Sequence, residues 1–237
     1  MIKAVVFDLW NTLIPTTIDF VHLSALAKHE HLSLPEFIGR YEQATHLKKY
    51  KNFKELRDDF FAAFKQFDNS LLEQELYEVY FNRFDKIYLF PDVEKTLSKL
   101  KAEGYRLALL SNTESLNMDK MVERLGFGNY FDVFAFSYEV KAIKPDPKAF
   151  KAALKMLKVK PNEALMVGDS LRSDMMGSKA VGMHNCLINR KGKVFDLADI
   201  RPDFEIKSLD EVFRVLGVLN AQGKQPSSAP APGSQKA

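Results

Sequence analysis

The sequence predicts an α/β protein, a parallel sheet with a helical bundle inserted after its first strand. Three observations predict this. Short apolar runs recur along the chain with few polar interruptions, as strands covered on both faces do. Helical patterns lie between most of them. Residues 16–88 break the alternation, with helix-start signals and no clear strand run.

The strand runs are IKAVVF at 2–7, RLALL at 106–110, VFAF at 133–136, ALMV at 164–167 and NCLI at 185–188. Between them, residues 92–103 carry Val93, Leu97 and Leu100 on one helical face, and Gly104 follows as a stop. Asp146 can cap a helix whose first residue is Pro147, in DPKAFKAALKML. Strands alternating with helices imply right-handed crossovers in one parallel sheet.

The insert holds three helix starts of the capping-box type, Ser33-x-x-Glu36, Asn52-x-x-Glu55 and Ser70-x-x-Glu73. Leu23, Leu26, Phe60, Phe61, Phe64, Leu72, Leu76 and Val79 have helical spacing, and Phe67 joins the phenylalanines as bundle core. Roughly four helices are expected, because a structureless loop of about 70 residues is rare in a domain. The domains are therefore a core of residues 1–15 and 91–217, a helical unit of residues 16–90, and a tail of residues 218–237. The final 17 residues, AQGKQPSSAPAPGSQKA, contain no large apolar side chain and are expected to be disordered.

Composition excludes several classes. Thirty-four basic and 31 acidic residues give a net charge of +3, too balanced to imply nucleic-acid binding. The single cysteine, Cys186, allows no intramolecular disulfide. It reads as a small core residue in a reducing compartment. No apolar run approaches the ~20 residues of a membrane span, and no leader pattern is evident, so a cytoplasmic protein is expected.

Ligands of parallel α/β sheets bind beyond the carboxyl ends of the strands. Strand one ends in Asp8, strand two in Ser111-Asn112-Thr113, and strand four in GDSLRSD with Asp169 and Asp174; Lys144-Pro145 follows strand three. Taken singly, each has an ordinary explanation: a turn former, a loop polar pair, a surface lysine. Together they place three carboxylates, one lysine and a hydroxyl at one end of one sheet.

Four motifs in order, DxxxT at 8–12, SN at 111–112, KP at 144–145 and the GDS…D segment at 168–174, resemble the haloacid dehalogenase-like hydrolase superfamily. The resemblance covers residues 1–217 and implies a Rossmann-like core, with the helical insert as its cap. It implies Mg²⁺ as cofactor and a small phosphorylated molecule as substrate. Asp8 would be nucleophile and metal ligand, forming an aspartyl-phosphate that water hydrolyses. Asp169 and the backbone carbonyl of Trp10 would complete the protein ligands. Asp174 would stand beside the metal, orienting a ligand water or Lys144. Lys144 would neutralise charge between Asp8 and the phosphate. Ser111, Asn112 and Thr12 would hold the substrate. Monomer and homodimer both fit, and no nucleic acid or membrane partner is expected.

Two residues depart from the pattern. Phosphatases of this superfamily usually carry an acid–base aspartate where this chain has Trp10. An indole N–H only donates, and cannot cycle a proton near neutral pH. Asn11 replaces the usual glycine, and asparagine tolerates unusual backbone angles. Three readings remain open at this level. The first is a phosphatase whose proton comes from elsewhere. Asp19, His22 and Glu42 of the cap are candidates, although such residues are more often solvated. The second is a metal-independent 2-haloacid dehalogenase, whose relatives bear an aromatic residue at the Trp10 position and a cap arginine, here Arg40. The retained Asp169 argues against it. The third is a catalytically weak binding or regulatory module.

Elsewhere in the insert, the basic run HLKKYKNFKELR at 46–57 reads as a solvated helix face, with a phosphate-attracting rim as the alternative. His29 and His31 flank Glu30 and read as a polar helix end. Pro15 and Pro91 mark the junctions, near residues 15–17 and 88–91, at which the cap is expected to hinge as a lid.

Overall fold

The computed structural model describes residues 1–16, 27–28, 30–64, 73, 77, 87–116, 118–194 and 200–222. Its elements run β1 (Ala4–Phe7), α1 (Leu34–Thr45), α2 (Phe53–Ala63), α3 (Val93–Ala102), β2 (Arg106–Ser111), α4 (Met118–Leu125), β3 (Val133–Phe136) and α5 (Ser137–Val140). They continue through α6 (Pro147–Leu157), β4 (Ala164–Gly168), a π-helical segment Leu171–Met176, α7 (Gly177–Ala180), β5 (His184–Ile188), β6 (Phe204–Ile206) and α8 (Val212–Gln222).

Among the described residues, six strands form one parallel sheet in the order β3-β2-β1-β4-β5-β6. Alternation along each strand feeds two cores. Val5, Phe7, Leu107, Leu109, Leu165 and Val167 face one layer, where Leu97 of α3, Met121 of α4 and Leu216 of α8 pack on them. Ala4, Val6, Ala108, Leu110 and Met166 face the other, against Phe150 and Leu154 of α6. Burial on both sides explains why these strands read as continuous apolar runs. After β3 the chain returns to the far side of β1 and pairs β4 with it. The order therefore reverses between β1 and β4, and a crevice opens beyond their carboxyl ends.

The helix signals mostly perform as expected. Ser33 and Glu36 form a reciprocal capping box, and Asp146 accepts a bond from the Lys148 amide. Asn52 caps α2 through the Glu55 amide, whereas the Glu55 carboxylate accepts from Lys51 rather than completing the box. Asp92 precedes α3 without capping it; its carboxylate is engaged elsewhere. Gly104 lies at φ +84°, a left-handed stop.

One expectation at the end of the core needs correction, and one strand there goes unread in the sequence. The core does not end at residue 217, because α8 continues to Gln222. Leu216 and Leu219 extend its apolar face, and Asn220 accepts from the Ile2 amide at 2.7 Å. The strand β6, FEI, was too short to stand out by pattern, and it pairs with β5 from Cys186↔Phe204 to Ile188↔Ile206. Cys186 is fully buried, as expected of a core cysteine. No described helix is long and apolar enough to cross a membrane.

In the insert, Phe37, Tyr41, Leu56, Phe60 and Phe64 form a separate small core. Phe64 packs with a tilted ring against Phe37 and Phe60 at centroid distances of 4.6 and 4.7 Å. The basic run is a paired, solvated face. Lys48 bonds Asp59, Lys54 bonds Asp58, and Arg57 bonds Asp58 and Glu73. The expectations resting on Leu23, Leu26, His29, Phe67, Ser70, Leu72, Leu76 and Val79 lie outside the described residues. His31 is described and sits at φ +54°. The insert is docked on the core through the Tyr50 amide to Ser115 Oγ at 2.7 Å, Lys141 Nζ to the Leu47 carbonyl at 3.2 Å, and Leu116, which packs against the insert's core.

His46, at the end of α1, is buried, with Nδ1 2.8 Å from Thr45 Oγ1. Burial pushes its pKa down to about 3. An unfolded histidine titrates near 6.5, so below that pH the unfolded chain takes up a proton that the folded one refuses. Stability from this residue is intact above about pH 6.5 and is lost as pH falls toward 3. Replacing His46 with Gln is expected to flatten the decline of Tm between pH 6.5 and 4, measured by circular dichroism.

Candidate active site

The crevice at the sheet's reversal point collects the motif residues. The Asp8 amide donates to the Val167 carbonyl at 2.9 Å, which continues the β1–β4 pairing and fixes where the side chain emerges. Asp8 Oδ1 accepts from Lys144 Nζ at 2.6 Å, and Oδ2 accepts from Thr12 Oγ1 at 3.3 Å. Lys144 Nζ also donates to Asp174 Oδ1 at 2.6 Å. Asp174 Oδ2 accepts from the Ser170 amide at 3.1 Å. All three side chains are almost wholly buried.

Lys144 is aimed by Asn112. The Asn112 Oδ1 accepts from the Lys144 amide at 2.8 Å, and its Nδ2 donates to the Lys144 carbonyl at 3.1 Å. The asparagine at the end of β2 thus grips the backbone of the loop that presents the lysine. Gly168 is required at the end of β4. A Cβ there would lie 2.3 Å from Asp174 Oδ2, so any larger residue would push that carboxylate off Lys144.

Carboxylate oxygens of Asp8, Asp169 and Asp174 lie within 4.8 Å of one another. One lysine faces three acids, and burial makes this imbalance expensive. Burial raises the Asp8 pKa to about 6, with Lys144 opposing and Asp174 reinforcing. Burial, Asp8 and Asp174 raise Asp169 to about 7. For Lys144, burial works against the charge, but Asp174 and Asp8 overcome it and the pKa is raised. An oxygen-only set of close carboxylates with surplus negative charge suits a hard divalent cation such as Mg²⁺. Ser111 Oγ adds to the picture: it is buried without a hydrogen-bond partner among the described residues. Such a hydroxyl is expected to meet a ligand.

The two unusual residues have clear physical settings. Trp10 is partly buried and packs against the larger apolar core, so its ring serves as a hydrophobic wedge. The Asn11 amide donates to the Ile14 carbonyl, and the Ile14 amide to the Leu9 carbonyl. These bonds flank Trp10 and leave its own carbonyl outside the pairing. Asn11 adopts φ +56°, the left-handed conformation glycine usually fills, and its side chain accepts from the Thr16 amide at 3.2 Å.

Not every candidate is brought to the crevice. The Arg40 guanidinium is half exposed and lies 3.8 Å from Glu30, within the insert. Two residues along a helix turn the side chain by about 200°, so Arg40 and Glu42 point to opposite sides. Glu42 takes the crevice side. It is not the solvated residue its type suggested: Asn112 Nδ2 donates to Glu42 Oε2 at 3.2 Å. Asp19 and His22 lie outside the described residues.

One supporting pair escaped the sequence reading. Arg190 clasps Asp92 at 2.8 and 2.9 Å and donates to the Thr12 carbonyl at 2.9 Å, while the Leu209 amide also donates to Asp92 at 2.7 Å. This clamp holds the loop that carries Thr12. The two residues are 98 positions apart, and nothing local links them.

A six-stranded parallel sheet with this crevice and an acid–lysine cluster at its floor defines a hydrolase built for a carboxylate-centred site. A profile of the haloacid dehalogenase-like hydrolases matches residues 2–182, and the chain belongs to that family. It is 28% identical to a glyceraldehyde 3-phosphate phosphatase of Methanopyrus kandleri, over 92% of this chain and 99% of that one. Among solved structures it is similar to a HAD phosphatase from Thermococcus onnurineus, with 31% identity, 91% and 98% of the two chains covered, and a TM-score of 0.62. It is also similar to a 2-haloacid dehalogenase from Pseudomonas syringae pv. Tomato DC3000, with 28% identity, 92% and 99% covered, and a TM-score of 0.64.

Proposed function

We propose that this hydrolase is a Mg²⁺-dependent phosphatase acting on a small phosphorylated molecule through an aspartyl-phosphate at Asp8. The observation that carries the reading is Asp169 within 4.8 Å of both Asp8 and Asp174. A third carboxylate, half-buried beside one lysine and two buried acids, has no use in a site that works without a cation.

Asp8, Asp169 and the Trp10 carbonyl would hold Mg²⁺, with Asp174 alongside. Bound there, the ion would offset repulsion between the Asp8 carboxylate and phosphoryl oxygens. Thr12 and Lys144 hold the two Asp8 oxygens in place. Asp8 attacks phosphorus and takes the phosphoryl group. Lys144 screens the incoming charge. Ser111 Oγ, buried and unpartnered among the described residues, donates to a phosphoryl oxygen. Positioning and charge compensation supply most of catalysis in such a transfer. The insert would close over the crevice as a lid and exclude water during the transfer.

Hydrolysis of p-nitrophenyl phosphate tests the reading, because that leaving group barely needs a proton. Turnover with Mg²⁺ that disappears in EDTA is the expected result. The dehalogenase reading draws on Trp10 and on the Pseudomonas syringae likeness. Chloride release from 2-chloropropionate in EDTA, with no phosphatase activity, would establish it instead.

A further inference from the structure

Among the described residues, Glu42 is the acid of the insert that reaches the crevice. It lies on α1, in the turn that also buries Tyr41 and Thr45. Its carboxylate is held by Asn112, the residue that grips Lys144, and Lys144 in turn holds Asp8. In an in-line displacement the leaving oxygen departs on the side opposite the attacking atom. Asp8 attacks from the sheet, so the leaving oxygen faces the insert. Trp10 leaves the core without the acid that would otherwise serve there.

We infer that Glu42 is the general acid and base of this site, a proton carrier supplied by the insert in place of the one Trp10 cannot provide. The inference rests on the phosphatase reading above. In the first step the ester O–P bond breaks as the bond from Asp8 to phosphorus forms, and the Glu42 proton passes to the departing alkoxide. In the second, water adds to phosphorus, its proton passes to the Glu42 carboxylate, and the bond to Asp8 breaks. Inorganic phosphate leaves with Asp8 ionised and Glu42 protonated, as at the start.

The surroundings support a proton at this position. Burial raises the Glu42 pKa to about 7, with Lys144 and the Asn112 bond opposing, and Asp8 and Asp174 reinforcing. Those three charged groups come from the loops after β1 and α5 and from the π-helical segment after β4. A carboxyl near neutral pKa can both give and take a proton. Docking of the insert then completes the site, because one half of the chemistry lies on each side of the crevice.

The test is the leaving-group dependence of kcat/KM in the full chain with Mg²⁺. It compares p-nitrophenyl phosphate with small alkyl phosphates such as glycerol 1-phosphate. Glu42→Gln keeps the shape and can still accept from Asn112. It is expected to hold kcat/KM for p-nitrophenyl phosphate within about 3-fold, and to lower that for alkyl phosphates by about 10²–10³-fold. With p-nitrophenyl phosphate it should also release a burst of about one nitrophenolate per site, because the second step lacks its base. Equal losses on both substrate classes, no loss on either, or no burst would overturn the inference. Glu42→Asp, which keeps the acid on a shorter arm, should fall between wild type and Glu42→Gln on alkyl phosphates; behaviour identical to Glu42→Gln would count against proton transfer. Failure of the phosphatase reading itself is seen separately, as wild-type turnover that is absent or that survives in Asp8→Asn.

Discussion

Asp8→Asn is expected to abolish turnover while leaving the protein at least as stable as wild type in EDTA. The amide has nearly the shape of the carboxylate. Its oxygen can still accept from Lys144, and its NH2 can donate to Thr12 Oγ1, whose hydroxyl accepts as well as donates, so both contacts persist with the second one reversed. It cannot form an acyl phosphate. Loss of a nucleophile that works with a positioned cluster is expected to cost on the order of 10⁴-fold or more in kcat. Stability runs the other way. Burial raises Asp8 to about 6, so its ionised form is less favourable in the fold than in the unfolded chain. That penalty is absent near pH 4, where Asp8 is largely protonated in the fold. It grows as pH rises through about 6. In EDTA, the Tm of Asp8→Asn relative to wild type should therefore rise between pH 5 and 8. The rise in Tm on adding Mg²⁺ should shrink, since a ligand is lost. A variant that loses activity only because it unfolds would show a lower Tm at every pH, and would remove this argument for Asp8. Activity bought at the expense of stability is the expected signature of a preorganised charged site.

How much of this was visible in the sequence depended on distance along the chain. The five longer strands were legible because burial on both faces leaves an unbroken apolar run, as in AVVF and ALMVG. The motif residues Asp8, Ser111 and Asp169 were legible as strand ends, and Lys144 as part of the segment that follows β3, since topology gathers strand ends whatever lies between. β6 was hidden because three residues carry too little pattern. The Arg190–Asp92 clamp was hidden because its partners are far apart and each is ordinary on its own. Glu42 is the most instructive case. Its neighbours Phe37 and Tyr41 mark the buried face of α1, but only the docking of α1 on the core decides whether the adjacent face meets solvent or Asn112. Helical periodicity fixes rotation about an axis and says nothing of what stands opposite.

Lys144→Met should produce the largest loss of stability of any single change in the site. The lysine is 3% exposed and is the only cation hydrogen-bonded to Asp8 and Asp174 among the described residues. Methionine preserves the volume and removes the charge. Two facing carboxylates then lose their partner, with Asp169 close by. Removing one member of a buried ion pair costs about 3–5 kcal/mol, chiefly through the charge left behind. The loss should depend on pH in a definite sense. Without Lys144, Asp8 and Asp169 titrate still higher in the fold, so the folded variant binds more protons than the unfolded chain above the ordinary carboxylate range near 4. Its stability therefore falls as pH rises, more steeply than that of wild type. Urea unfolding in EDTA should show the deficit widest near pH 8 and narrowing toward pH 4. Adding Asp174→Asn to Lys144→Met should return part of the stability, because one uncompensated charge disappears. That gain would be non-additive, as expected for groups in contact. A deficit that is constant with pH, or a double variant weaker than the single one, would mean that Lys144 stabilises by packing, and that the charge balance across Asp8, Asp169 and Asp174 does not govern the crevice.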